Sequence, residues 1–186
     1  AYEKSMEDLD KFFELNWKIN TPKIVLVGNR EDIDALRGKQ TEDWVVGWTD
    51  NRIIFLLDKD KTGKESVRKY SDEEYEALIK HELCHLFINI TSSYAKVPIW
   101  LAEGLCVFLS RQYKFREKPK KFSDFLEYYS KSDKSVYNQS CFFVEILVKK
   151  FGKEKIISLL KNLKNTKNED EFKKLFEDTY DFSLSY

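Results

Sequence analysis

The sequence predicts an α+β fold: a small mixed β-sheet with helices in the first half, a mainly helical second half, and a cleft between them. Three observations carry this reading. Short apolar runs rich in β-branched residues, at 23–28 and 52–57, occur early in the chain. A strongly capped helix opens at Ser71, and beyond Pro98 the apolar residues recur at helical spacing between charged connections. A length of 186 residues suits one domain, 1–186, read as an α/β subdomain over 1–90 and a helical subdomain over 91–186.

Taken in order, Tyr2 to Trp17 places Tyr2, Met6, Leu9 and Phe13 on one helical face, an amphipathic helix with a structural role. Pro22 precedes Lys23-Ile24-Val25-Leu26-Val27-Gly28, which reads as a buried strand. Arg30 to Arg37 is a short helix closed by Gly38. Trp44 to Trp48, the turn residues Thr49-Asp50-Asn51, and Arg52 to Leu57 read as a β-hairpin. Asp58 to Gly63 begins like a calcium loop, but Lys69 stands where that loop needs a bidentate Glu, so a charged surface loop is expected. Ser71-Asp72-Glu73-Glu74 is an S-x-x-E capping box with acids at the positive end of the helix dipole, and the helix should reach Asn89. Pro98 opens the next helix. Tyr113 to Lys121 reads as a basic, loose connection and Phe122 to Tyr129 as a short helix. A longer helix begins near Tyr137 and ends at Gly152, and two more cover Lys153 to Leu163 and Glu169 to Asp178. The tail, Phe182 to Tyr186, is either cut short or folds back into the cleft.

Composition narrows the function. Lys plus Arg and Asp plus Glu are 32 each, so no global field favours nucleic acid or an acidic membrane. Seven Lys face one Glu between Lys149 and Lys167, but without interleaved aromatics this is a solvated helix face. No apolar run is long enough to span a membrane. Cys84, Cys106 and Cys141 all lie in apolar company, the pattern of buried free thiols; it favours a reducing, cytoplasmic compartment, although a chain starting at Ala1 leaves room for a removed leader.

The chemistry concentrates in His81-Glu82-Leu83-Cys84-His85. On a helix, residues four apart stack on one face, so both imidazoles reach one metal ion, while Glu82 is rotated by roughly 100° to lie beside the ion's open position. These are the only two histidines in the chain, and chance would give this pattern on the order of once in a thousand such chains, so coincidence is a poor account. A zinc site with three protein ligands needs one more. Glu103, in Trp100-Leu101-Ala102-Glu103-Gly104, is the only charged residue between Lys96 and Arg111, and a lone carboxylate in an apolar helix requires a partner.

With these residues the chain resembles the gluzincins, zincin metallopeptidases with two motif histidines and a glutamate on a following helix, and most of all their small, minimal members. The resemblance is specific from His81 to Ser110. It implies a zincin-like fold, zinc held by His81, His85 and Glu103, and Glu82 as general base in peptide-bond hydrolysis. It also implies that the strand before the motif helix, Arg52 to Leu57, is a cleft-rim edge that pairs with extended substrate; an interior strand is the alternative. Seventeen residues separate His85 from Glu103, slightly fewer than in better-known groups. Val107 stands where thermolysin-like members place an Asp, so a backbone carbonyl or another side chain must orient the histidine. No third histidine exists to stabilise the oxyanion, and Tyr137 is the candidate substitute. The lack of a G-x-M-E-N element favours an endopeptidase. A monomer acting on a peptide or protein substrate is expected. The competing reading is a catalytically silent or latent zinc-binding domain that binds peptides or a protein partner; peptide deformylase is set aside because its Gly-Cys-Leu-Ser element is missing.

Overall fold

The helix carrying the two histidines runs through the middle of the molecule, and the other elements are packed around it. The computed structural model describes residues 1–17, 20–123, 125–127, 129–130 and 136–185. Among them are eight helices and a three-stranded mixed sheet, about 60% helix. The helices are α1 (Tyr2–Phe13), α2 (Arg30–Arg37), α3 (Thr62–Glu65), α4 (Asp72–Thr91), α5 (Ile99–Leu109), α6 (Val136–Phe151), α7 (Lys153–Asn162) and α8 (Glu169–Tyr180); the strands are β1 (Lys23–Val27), β2 (Gly47–Asp50) and β3 (Ile53–Leu57). None of the described helices is long and apolar enough to cross a membrane.

Local signals set most element ends. Ser71 accepts from Glu74 N while the Glu74 carboxylate accepts from Ser71 N, the reciprocal cap read from the sequence. Asn29 and Asn168 cap α2 and α8 in the same way, each side chain accepting from a backbone N–H three residues on. The segment 58–65 is a 3-10 turn running into α3, capped by Asp58, rather than an open loop.

The strand order is β1-β3-β2, with β1 parallel and β2 antiparallel to β3. This corrects two expectations. The strand Ile53–Leu57 is central, both of its edges already paired, so it cannot accept a substrate strand; the open edge beside α4 belongs to β2. The run at 23–28 is an edge strand rather than a buried one, with Val25 and Leu26 exposed, Leu26 by 59%. Its apolar run reports β propensity but not which face is covered. The hairpin turn is also shifted: Asn51 and Arg52 both take positive φ (45° and 70°), forming a two-residue connection that pairs Asp50 with Ile53.

One apolar core runs from Leu9 and Phe13 of α1 to Tyr180 of α8. Phe13 stacks on Phe87 with centroids 5.6 Å apart, and Lys80 meets Asp8 at 2.6 Å, so α1 covers the outer face of α4. Trp100, 1% exposed, packs against Phe125, Phe143, Phe172 and Phe176 and joins α5, α6 and α8. Helices α5 and α6 come very close at Gly104, where an added Cβ would lie 2.8 Å from the Ser140 carbonyl oxygen. That approach brings the first turn of α6, with Tyr137, to the side of α5 that carries Glu103. Among the expected short helices, Phe122 to Tyr129 contains a 3-10 turn at Phe125–Glu127, and residues 124 and 128 lie outside the described residues. The tail as described, through Ser185, lies away from the cleft: Phe182 packs on Phe151 and Phe176, and Leu184 lies with Trp100 and Phe172 around a separate cavity of about 310 Å³; Tyr186 is outside the described residues.

The loop 41–46 that leads into β2 is held by Asp34, which accepts from Thr41 N and Oγ1, and above all by Arg30. The Arg30 guanidinium donates to Thr41 Oγ1 and to the carbonyls of Glu42, Asp43, Val45 and Glu65 at 2.7–3.3 Å. Arg30→Ala should cost about 2 kcal/mol of stability, within the range for hydrogen bonds to a charged group, read as a lowered urea midpoint. An unchanged midpoint would show that water replaces those bonds at no cost.

Candidate metal centre and cleft

Three turns after its cap, α4 presents His81 and His85 towards α5. Their Nε2 atoms are 3.2 Å apart, with the rings nearly perpendicular at 74°. From α5, Glu103 Oε2 lies 3.3 Å from His81 Nε2 and 3.7 Å from His85 Nε2. The sequence-predicted trio is therefore brought to one point. His81 is 6% exposed, and Glu103 Oε2 is buried with no hydrogen-bond partner; neither has His81 Nδ1 one. A proton shared between two of the three atoms would still leave the third unsatisfied.

The electrostatics follow from burial and proximity. Burial alone pulls the His81 imidazole down, but the Glu103 carboxylate, with Glu82 behind it, outweighs this and raises it above the ordinary histidine value. Burial pushes the Glu103 carboxyl up, but the imidazoles of His85 and His81 hold it below the usual carboxylate range. A buried and a half-buried imidazole converging with a carboxylate can hold a cation.

Cys106 lies one turn after Glu103 on α5. Its Sγ and a ring nitrogen from each histidine lie within 4.8 Å of one another, so His81, His85 and Cys106 form a group that can hold a metal ion. All three cysteines are buried free thiols. Burial first, then Cys84, Glu103 and Glu82 drive the Cys106 thiol well above its ordinary value.

Glu82 turns away from this point towards β2 and is 6% exposed. The Thr49 hydroxyl lies 3.1 Å from the Glu82 carbonyl and 3.2 Å from its Oε2, so its single proton is shared between them. Gly47 makes room for the side chain: a Cβ there would lie 2.7 Å from Leu56 Cδ2 and 3.2 Å from Glu82 Oε1. His81 and Glu82 form the floor of a cleft of about 380 Å³. Its walls come from both halves of the chain: Trp44 to Gly47 and Tyr70 on one side, Phe115, Arg116 and Tyr137 on the other. The Tyr137 ring centroid is 6.4 Å from that of His81, and Arg116 Cζ stands 5.5 Å from the Tyr137 ring.

Two expectations need correcting. Val107 is fully buried, and among the described residues neither a carbonyl nor a side chain bonds His81 Nδ1, so that ring is oriented by packing and by Glu103 at its Nε2. The connection after Arg111 is not simply loose: Gln112–Phe115 is a 3-10 turn, Tyr113 packs on Phe108, and Arg116 turns into the cleft. Sequence reasoning missed Cys106, Thr49, Gly47 and Arg116 as parts of the site. Only Cys106 carried a signal, its place one helical turn beyond Glu103.

No protein-family model matches the chain, and neither does any curated protein or solved structure.

Gly47→Ala should cost about 1–3 kcal/mol, the usual price of overpacking, because Leu56 is fully buried and cannot withdraw. Chemical denaturation measures this, and a neutral result would mean that β2 slides away from α4 freely.

Proposed function

We propose that this chain is a zinc-dependent peptidase of the gluzincin type, probing extended peptides in the cleft between the sheet and the helical half. The observation that carries the reading is the set of distances among His81 Nε2, His85 Nε2 and Glu103 Oε2: 3.2, 3.3 and 3.7 Å. Ligands at zinc–N and zinc–O lengths of about 2.0–2.2 Å in a tetrahedron stand roughly 3.3–3.6 Å apart. The unpartnered Glu103 Oε2 fits the same assignment. Zinc held there would supply a Lewis acid that polarises a carbonyl and makes water acidic enough to react near neutral pH.

The rest is done by the chain's own groups. Glu82 takes the proton of the attacking water at its carboxylate and returns it to the leaving amine. Thr49, through Oε2, and the space left by Gly47 hold that carboxylate at the cleft floor. Tyr137, beside His81, donates a hydrogen bond to the oxyanion as it forms. Extended substrate pairs with the open edge of β2, which adjoins Glu82 and leads into the cleft wall. Cleavage within a chain, the endopeptidase reading, follows from the missing amino-terminus-binding element noted in the sequence.

The proximity of Cys106 favours a second reading, a closed site of four protein ligands that binds metal without catalysis. Glu103 fits the third position better, because its Oε2 lies 3.3 and 3.7 Å from the two imidazole nitrogens, at the spacing of ligands sharing one zinc ion. In cobalt-substituted protein, the absence of a thiolate-to-metal charge-transfer band, together with full metal retention by Cys106→Ser, would support Glu103; a strong band would favour the closed site.

Freshly purified protein should contain about one zinc per chain, and His81→Ala should lose it with a lower Tm. Zinc-loaded wild type should cleave an unstructured protein mixture in a chelator-sensitive way, with sites read by mass spectrometry. Glu82→Gln should keep the metal and lose at least ~100-fold in turnover. Metal-free wild type sinks the reading; unchanged turnover in Glu82→Gln removes the base assignment.

A further inference from the structure

The cleft contains a cation that the mechanism above does not use. Arg116 reaches it from the segment after α5, with its aliphatic stem and Nε turned inward; Nε is buried and has no hydrogen-bond partner. Burial lowers the affinity of the guanidinium for its proton, against the opposing pull of Cys141, Tyr137, Tyr70 and Glu103. Among the described residues no carboxylate forms an ion pair with it. The other arginine on the cleft wall, Arg68, is different: it pairs with Glu74 and lies over Tyr70, its Cζ 4.6 Å from the ring centroid. Arg116 has only an aromatic face, that of Tyr137, at 5.5 Å.

Arg116 is half-buried, and its Nε has given up water without gaining an acceptor, which is costly at a charged group. Its planar fork of five donors matches a carboxylate better than any neutral group. The Tyr137 ring lies close to both Arg116 and His81. A carboxylate on Arg116 therefore belongs beside the reacting amide rather than at it.

We propose that Arg116 is a specificity-determining residue that binds a carboxylate of the peptide in the cleft, adjacent to the bond above Glu82. This deepens the peptidase reading and rests on it for the word substrate, but the recognition itself is testable without turnover. The carboxylate has two sources, an Asp or Glu side chain within the peptide or the free carboxyl terminus. The first makes the enzyme an endopeptidase selective for acidic sites; the second makes it a carboxypeptidase. Tyr137 then has a double task, because the ring that flanks His81 also supports the guanidinium; its loss disturbs both chemistry and selection.

The test uses fluorescein-labelled Gly/Ala decapeptides carrying one Glu or one Gln, each with a free or an amidated carboxyl terminus. Binding to zinc-loaded Glu82→Gln protein is followed by anisotropy. Peptides with the recognised carboxylate should bind at least about tenfold more tightly than their neutral counterparts, the scale of one charge-assisted bidentate contact. The Glu/Gln pair and the acid/amide pair identify the source. Adding Arg116→Gln should remove that difference, and Arg116→Lys should keep part of it; a thermal melt of each variant checks folding. Equal binding of all four peptides by the Arg116-containing protein overturns the proposal whether or not the variants fold. So does a preference that survives in folded Arg116→Gln. Cleavage by Glu82-containing protein is scored separately: discrimination in binding without cleavage retains Arg116 as a carboxylate-binding residue and removes the peptidase.

Discussion

Two imidazole nitrogens and one carboxylate oxygen, all within 3.7 Å of one another in a partly buried space, are the constraint that the rest of the chain accommodates. Such a cluster costs free energy in an apolar interior unless a cation occupies it, and it has to be held against its own tendency to spread. The hold comes from two rods. Around the histidines α4 buries Leu83, Cys84, Leu86 and Phe87, and α5 buries Leu101, Leu105 and Cys106 on the facing side. Small relative movements of those helices are opposed by close packing on both, with α1 behind α4 and α6 pressed against α5 at Gly104.

The same packing places the neighbouring acid. One residue on from His81, Glu82 turns away from the His81–His85–Glu103 cluster and enters the space between α4 and β2. There Thr49 bonds it, and the missing side chain of Gly47 lets it fit. Strand β2 is itself the end of a loop fastened by Arg30. The cleft wall is thus tied to α2 and α3 by the Arg30 guanidinium, with Asp34 of α2 holding Thr41 beside it.

Charge is distributed unevenly at short range despite the global balance. Glu82 and His81 lie on the cleft floor with Arg116 on its wall, and Glu103 sits on α5 against both imidazoles. Aromatic rings of Trp44 and Tyr137, 6.4 Å apart between centroids, bridge the two halves across the opening.

Much of the fold was legible because its signals are local. The reciprocal cap at Ser71, the αL end of α2 at Gly38 and the spacing of apolar residues depend on contacts within a few positions, and the helices α1, α2, α4, α5, α6, α7 and α8 lie close to where those signals put them. The convergence of His81, His85 and Glu103 was legible for a related reason: two ligands share a helix face, and the third is the one charge in an apolar segment that must find a partner. Strand order, by contrast, is a non-local choice. An apolar run such as 23–27 fits an edge or a centre equally well until its neighbours are known, and so β3 proved central and β1 exposed. The inward turn of Arg116, the fit of Gly47 against Glu82 and the unpartnered Nδ1 of His81 depend on groups distant in the chain. The sequence by itself determined which side chains converge and which helices carry them; only tertiary structure decided which walls enclose them, because burial and partner choice arise from packing between segments rather than from spacing within one.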